Sequence, residues 1–214
     1  MDSLANHQLL FKACGVVAQH AMAPKVFACT HPHYGDVVVK IAQTTAEKIA
    51  LMREAKFLSN YMSNYWPAIW DSGSLNQTDW LLLERFSGVH LNKLSWQTRL
   101  NPIAINLEVA LQHLHLTGMI HGDIKPSNII VTSEHEVRLI DFGSVLPIGS
   151  RYQIHASTSI TPKYSSPNAK LRLGVVSSKD DYYALARSII DTQLNQQAHS
   201  CQGVSAKYYE ITRI

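Results

Sequence analysis

The stretch 121–143, "HGDIKPSNIIVTSEHEVRLIDFG", constrains this chain more than any other. Two short apolar runs, "NIIV" and "VRLI", flank a polar "TSEHE", the pattern of a hairpin. With Glu134 and His135 at the tip, Val131 falls opposite Arg138 and Asn128 opposite Asp141. Residues paired across two strands stand about 5 Å apart, so an amide oxygen and a carboxylate meet at the open end. Such a hard-oxygen pair suits Mg²⁺, which keeps waters and phosphate oxygens as its other ligands. Asp123 and Lys125 precede the hairpin on a loop that Pro126 stiffens. A carboxylate to take a proton, an ammonium to offset phosphoryl charge and a metal pair together suit phosphoryl transfer, where catalysis is positioning and charge stabilisation.

The rest of the chain can build a frame for such a site. Its 214 residues are 46% hydrophobic, enough for one or two units with a real core. Net charge is +3 with no Lys/Arg cluster, so nucleic acid is not an expected partner. Cys14, Cys29 and Cys201 are odd in number and far apart, which implies free thiols in a reducing compartment. No apolar run approaches the ~20 residues of a membrane span. The N-terminus lacks a basic start, and Lys12 interrupts its apolar part, so no cleaved signal is expected.

Periodicity orders the elements. "KVFACTHPHYGDVVVKIA" (25–42) predicts two strands around a turn. Residues 44–63 predict a helix, opened by a Thr44/Glu47 capping box, with Ile49, Met52, Ala55 and Leu58 on its apolar side. "WLLLERF" (80–86) predicts a strand. Residues 101–118 predict a helix that buries Ala104, Leu107, Leu111 and Leu114 and stops at Gly118. Residues 177–194 predict another, with Tyr182, Leu185, Ala186 and Ile189 on one side. The expected fold class is α+β: a small strand-rich lobe with one helix, then a mostly helical lobe.

"HGDIKPSN" followed by "DFG" resembles the catalytic loop and metal motif of eukaryotic-type Ser/Thr protein kinases. The resemblance covers roughly residues 25–192. It implies a bilobal fold with an N-lobe over 1–86 and a C-lobe over 87–214. It also implies an ATP- and Mg²⁺-dependent kinase acting on protein hydroxyls and on itself, with Mn²⁺ the alternative ion. By resemblance Asp123 is the catalytic base, and Asn128 and Asp141 are the metal ligands. Lys125 and Thr161, the latter in "TPKYSSPN", complete the catalytic set. "VVVK" assigns Lys40 to the α/β-phosphates, and "REAKFL" gives it Glu54 as ion-pair partner, with Glu47 the weaker candidate. "LLLERFSG" resembles the hinge: Leu83 as gatekeeper, Glu84 and Phe86 meeting adenine through their backbone. Val26, Val38 and Ile130 complete the nucleotide-contacting set. "DDYYALA" implies that Asp181 braces the catalytic loop.

Four departures mark this chain off from the family pattern. Gln19, Ala21 and Pro24 stand where a glycine-rich loop is expected, and Gly122 replaces an arginine that would dock an activating phosphate. Asn168 replaces the glutamate of "APE", and the large lobe is short. The reduction is similar to that of compact bacterial kinases, including effectors delivered into host cells, which implies a cytoplasmic site of action in the producer or in a host. With so little chain after residue 194, the apolar face of 177–194 is expected to lie open to a regulatory partner or a second copy at 177–214. The competing reading is a pseudokinase, a partner-binding module on the same fold.

Overall fold

The computed structural model describes residues 7–95, 98–155, 157–197 and 207–211. Cys201 and most of the tail "VSAKYYEITRI" fall outside these residues. The chain divides into two compact units, one ending at Phe86 and one beginning at Ser87.

Unit 1 contains α1 (Gln8–Ala13), β1 (Val17–Ala23), β2 (Val26–His31), β3 (Gly35–Ala42), α2 (Thr45–Asn60), β4 (Ile69–Leu75) and β5 (Thr78–Glu84). The strands form one antiparallel sheet in the order β1-β2-β3-β5-β4. Strand alternation divides β3 between two faces. Val37, Val39 and Ile41 turn into a core with Phe27, Leu82 and, from α1, Leu10 and Phe11. Val38 and Lys40 turn the other way and stay partly exposed. Helix α1 and the edge strands β1 and β4 have no counterpart in the sequence reading, which gives this unit one helix.

Helix α2 begins as predicted. The Thr44 hydroxyl accepts from the Glu47 N–H at 3.3 Å, and the Glu47 carboxylate accepts from the Thr44 N–H at 3.0 Å. Its inward stripe differs from the expected one. Leu51, Glu54, Phe57 and Leu58 are buried, whereas Met52 is 66% exposed. The stripe is rotated because the helix presents a charged residue, Glu54, to the sheet.

Unit 2 contains β6 (Val89–His90), α3 (Leu100–Leu116), β7 (Met119–Ile120), β8 (Ile129–Val131), β9 (Val137–Leu139), β10 (Leu146–Pro147), α4 (Pro167–Leu171), α5 (Ser178–Gln197) and α6 (Lys207–Ile211). Small sheets β6-β8-β9 and β7-β10 lie among the helices. Helix α3 buries Ile103, Ala104, Leu107, Ala110, Leu111 and Leu114, and Gly118 follows its end with φ +78°.

The face of α5 expected to lie open is covered. Leu185, Ala186 and Ile189 are at most 1% exposed, and Ile190 is 7% exposed. Helices α3 and α6 and strand β7 pack against α5. The short α6 suffices because Tyr208 anchors it: the ring is buried, and the hydroxyl donates to Glu108 of α3 at 2.7 Å. The surface invoked for a partner or second copy at 177–214 is therefore largely interior among the described residues.

This anchoring is measurable. Tyr208→Phe keeps the ring and loses the hydrogen bond, an expected cost of about 1 kcal/mol. Tyr208→Ala empties the site and is expected to cost about 3–5 kcal/mol, by analogy with other aromatic truncations. Equal denaturation midpoints for the two variants would show that α6 does not depend on the ring.

Candidate active site

In unit 1 the sheet face opposite the core carries the polar chemistry. Val26 pairs with Lys40 in register, and Val38 stands two residues before Lys40, so all three share a face. Leu83 pairs with Val38 and is buried. From α2, Glu54 reaches Lys40 with both carboxylate oxygens at 2.8 Å from Nζ. Glu54 is only 2% exposed. A carboxylate this far from water needs a paired cation, so the Lys40–Glu54 pair is a requirement of the packing.

Glu47, the weaker candidate for Lys40, belongs elsewhere. Its carboxylate holds Lys25 at 2.8 and 2.9 Å. Lys25 is the second residue of the Pro24-Lys25 turn that joins β1 to β2, with φ +62°. Instead of a flexible glycine loop the chain has a two-residue turn, proline first and positive φ second, tied to the first turn of α2. Gln19, at the first expected glycine position, donates to Thr30 at 2.6 Å and accepts from Arg85 at 2.9 Å. Lys25, chiefly, together with the backbone N–H groups of Thr44 and Gln43, holds the Glu47 carboxyl down to about 2.

Glu84 and Phe86 end unit 1. The Glu84 N–H already donates to the Ala68 carbonyl at 2.9 Å, and its carboxylate accepts from the Ala68 N–H at 3.1 Å. A nucleotide contact through the Glu84 N–H is therefore ruled out in this arrangement.

In unit 2 the loop before the hairpin gathers a compact polar group. Lys125 Nζ lies 2.6 Å from Asp123 Oδ2 and donates to Thr161 Oγ1 at 3.1 Å. Thr161 donates to Asp123 Oδ1 at 2.7 Å. Asn128 is 5% exposed and spends its amide N–H₂ on the Asp123 backbone carbonyl at 3.0 Å. That leaves the amide oxygen as an acceptor, the orientation a hard cation needs. Asp141 sits in the left-handed region at φ +71°, where the chain leaves β9 and starts a short 3₁₀ turn. The Asn128 amide oxygen and the Asp141 carboxylate are donor types that suit a hard divalent cation.

The hairpin register is one residue off the sequence reading. Ile129 pairs with Leu139, Ile130 with Arg138 and Val131 with Val137. The Thr132 N–H donates to the Glu136 carbonyl at 3.0 Å, and His135 has φ +60°. The loop thus has three residues with a left-handed third position, a common hairpin type. Asn128 consequently lies across from Ile140, whose N–H donates to the Asn128 carbonyl at 3.0 Å. Asp141 comes one position later, turned by its own left-handed backbone. Ile130 is buried in β8.

The loop is held from below. Asp181, 1% exposed, accepts from the His121 N–H at 2.8 Å, the Gly122 N–H at 3.0 Å and His115 Nε2 at 2.9 Å. The His121 ring accepts from the Asp123 N–H through Nδ1 at 3.3 Å and donates from Nε2 to the Ile140 carbonyl at 3.1 Å. Gly122 has φ +78°, and a Cβ there would stand 2.3 Å from the Ser144 carbonyl oxygen. No side chain, arginine included, fits that backbone. Arg172 instead donates to the carbonyls of His155 and Thr158. Asp180 adds a second anchor, accepting from the Ser166 hydroxyl at 2.6 Å and the Ser177 N–H at 2.9 Å. Lys25, His115, Arg172 and Asp180 were missed from sequence. Nothing in their spacing marks them, since each acts on a residue brought near only by the fold.

The sequence profile of the protein kinase domain matches residues 23–213. The chain belongs to the protein kinase domain family. It is similar to a probable LRR receptor-like protein kinase of Arabidopsis thaliana, 32% identical over 121 residues, 54% of this chain and 14% of that protein. It is also similar to serine/threonine-protein kinase 4 homolog B of Dictyostelium discoideum, 25% identical over 78% of this chain and 16% of that protein. Serine/threonine-protein kinase PAK 5 of Rattus norvegicus is 27% identical over 58% of this chain and 18% of that protein. The chain spans less than a fifth of each of these three relatives. The sheet-and-helix unit is the kinase N-lobe and the mainly helical unit the C-lobe. No helix among the described residues is long and apolar enough to cross a membrane.

Two predictions follow from the geometry of this kinase domain. Glu47→Gln keeps the capping box and removes the charge. A surface pair is worth about 1 kcal/mol at most, so the expected loss is about 2–4 °C in Tm at pH 7. Because the Glu47 carboxyl is depressed in the folded state, its contribution is full above its ordinary value of 4.5 and lost as pH falls through about 2. The gap between wild type and variant should close over that window. A gap that persists undiminished at pH 2 would mean that the ion pair is not its source. Separately, Gly122→Ala should destabilise by at least the ~1–3 kcal/mol of a strained non-glycine residue, read as a lowered urea midpoint with unchanged m-value.

Proposed function

We propose that this kinase domain transfers the γ-phosphoryl group of ATP to serine or threonine hydroxyls of proteins, itself among them. The reading rests on one observation, the Asp123–Lys125–Thr161 group beside an amide-oriented Asn128. Asp123 binds and takes the hydroxyl proton while the acceptor oxygen bonds to the γ-phosphorus and the bond to the β–γ bridging oxygen breaks, releasing ADP. Lys125, Thr161 and, at 3.4 Å, the Asn128 amide occupy three of its lone-pair sites, which leaves acceptor capacity for that proton. Lys125 offsets charge on the transferring group. Asn128 and Asp141 would hold Mg²⁺, or Mn²⁺ in its place, and the bound ion would neutralise phosphate charge. Lys40, oriented by Glu54, holds the α/β-phosphates, and Val26, Val38, Leu83 and Ile130 supply apolar contact to the base. The Glu84 carbonyl and the Phe86 backbone are the remaining candidates for adenine hydrogen bonds.

The pseudokinase reading draws on the β1–β2 turn, which offers no glycine loop to close over phosphates. The face of α5 that a partner at 177–214 would need is buried. The two readings part in one assay. The purified chain with labelled ATP and Mg²⁺ should label itself or a protein acceptor. Asp123→Ala and Asp141→Ala should each lower the rate by orders of magnitude. Wild-type turnover in Asp141→Ala would remove the hairpin from the mechanism, and no labelling by the wild type would favour the binding module.

A further inference from the structure

Between Asp141 and Asp180 the chain contains no aspartate and no glutamate, and over that span it carries Arg151, Lys163, Lys170, Arg172 and Lys179. The span lies against the base. Thr161 within it bonds to Asp123 and Lys125, so a hydroxyl brought to Asp123 arrives beside Thr161. The residues flanking that hydroxyl then run over the neighbours of Thr161. Lys163 follows two residues later, within about 7 Å along the chain.

The acids that face this span from other elements are already engaged. Asp191 of α5 lies 2.5 Å from Lys163 Nζ and accepts from the Tyr164 hydroxyl at 2.8 Å. Asp180 faces the Ser166 hydroxyl and the Ser177 N–H. Asp123 is paired with Lys125. On the cationic side Arg172 is committed to two carbonyls. Arg151, Lys170 and Lys179 are exposed, and Lys163 is 56% exposed. An ammonium carries three donors, so Asp191 steadies Lys163 without exhausting it.

We infer that the face around Thr161 selects acceptor segments that carry aspartate or glutamate beside the phosphorylated serine or threonine. This substrate class rests on the phosphoryl-transfer reading above. Charge complementarity of this kind steers encounter and fixes register, and it penalises like charge. A lysine- or arginine-flanked acceptor would set its cations against Lys163.

The test uses the full chain with ATP, Mg²⁺ and three peptides that share one acceptor and differ in their flanks: Asp/Glu, Ala or Lys/Arg. Self-labelling is followed in the same tubes. The acidic peptide should exceed the basic one in kcat/KM by about tenfold or more. The ratio should shrink in high salt, where the Debye length falls to about 3 Å at 1 M. Lys170→Glu combined with Arg151→Glu should narrow the ratio. Lys163→Glu should narrow it further, with a thermal melt to verify folding, since it sets two acids together at Asp191. Self-labelling accompanied by equal, basic or absent peptide preference would overturn the acidic selection and leave the kinase reading standing. Failure to label either itself or any peptide would overturn the kinase reading, and the substrate class with it.

Discussion

A single buried carboxylate organises the C-lobe. Asp181 lies in the first turn of α5 and accepts from two consecutive N–H groups of the catalytic loop and from a histidine of α3. Three donors satisfy a charge that would otherwise be costly to bury. Because both backbone donors belong to residues 121 and 122, their peptide planes are fixed, and Asp123 follows with its direction set. The Asp123–Lys125–Thr161 group is then built on a rigid floor. A substitution at Asp181 would strand three donors and loosen every contact above them.

The N-lobe depends on α2 in a comparable way. Ion pairs join the helix to the sheet and its β1–β2 turn, among them Lys25–Glu47, Lys40–Glu54 and Lys48–Asp79. The first also fixes the turn where a glycine loop is absent. On the proposed reading, phosphate grip in this lobe rests on side-chain charge and a held helix more than on backbone N–H groups that close over the ligand.

Much of this was legible in the sequence, and the gaps have physical causes. Strands β2, β3 and β5 lie inside the sheet, and their apolar runs announce them. Strands β1 and β4 are its edges. β1 is almost wholly exposed, and β4 carries Asp71, Ser72, Gly73 and Ser74, so neither shows a buried alternation. The site residues cluster in short motifs, so Asp123, Lys125 and Asn128 could be read together, and Lys40 and Glu54 followed from strand and helix motifs. The hairpin register failed because a loop of two residues and a loop of three leave the same sequence trace, and His135 gives no glycine to mark the left-handed position. The stripe on α2 was misread because a buried glutamate breaks an apolar pattern. The openness of α5 was misjudged because Tyr208 meets Glu108 across a hundred residues of chain, a pairing that local periodicity cannot display.

Gly122 bears on the history of such a chain. The family pattern that this chain resembles has an arginine at the position, but here the Ser144 carbonyl fills the space in which its Cβ would have to start. Control by a phosphate docked at this position is thus not one substitution away. The backbone at 144 must move first, and that move has no benefit until the arginine arrives. The glycine thus acts as a ratchet: an arginine at 122 needs a prior backbone move at 144, whereas the Arg172 bonds to His155 and Thr158 are already in place.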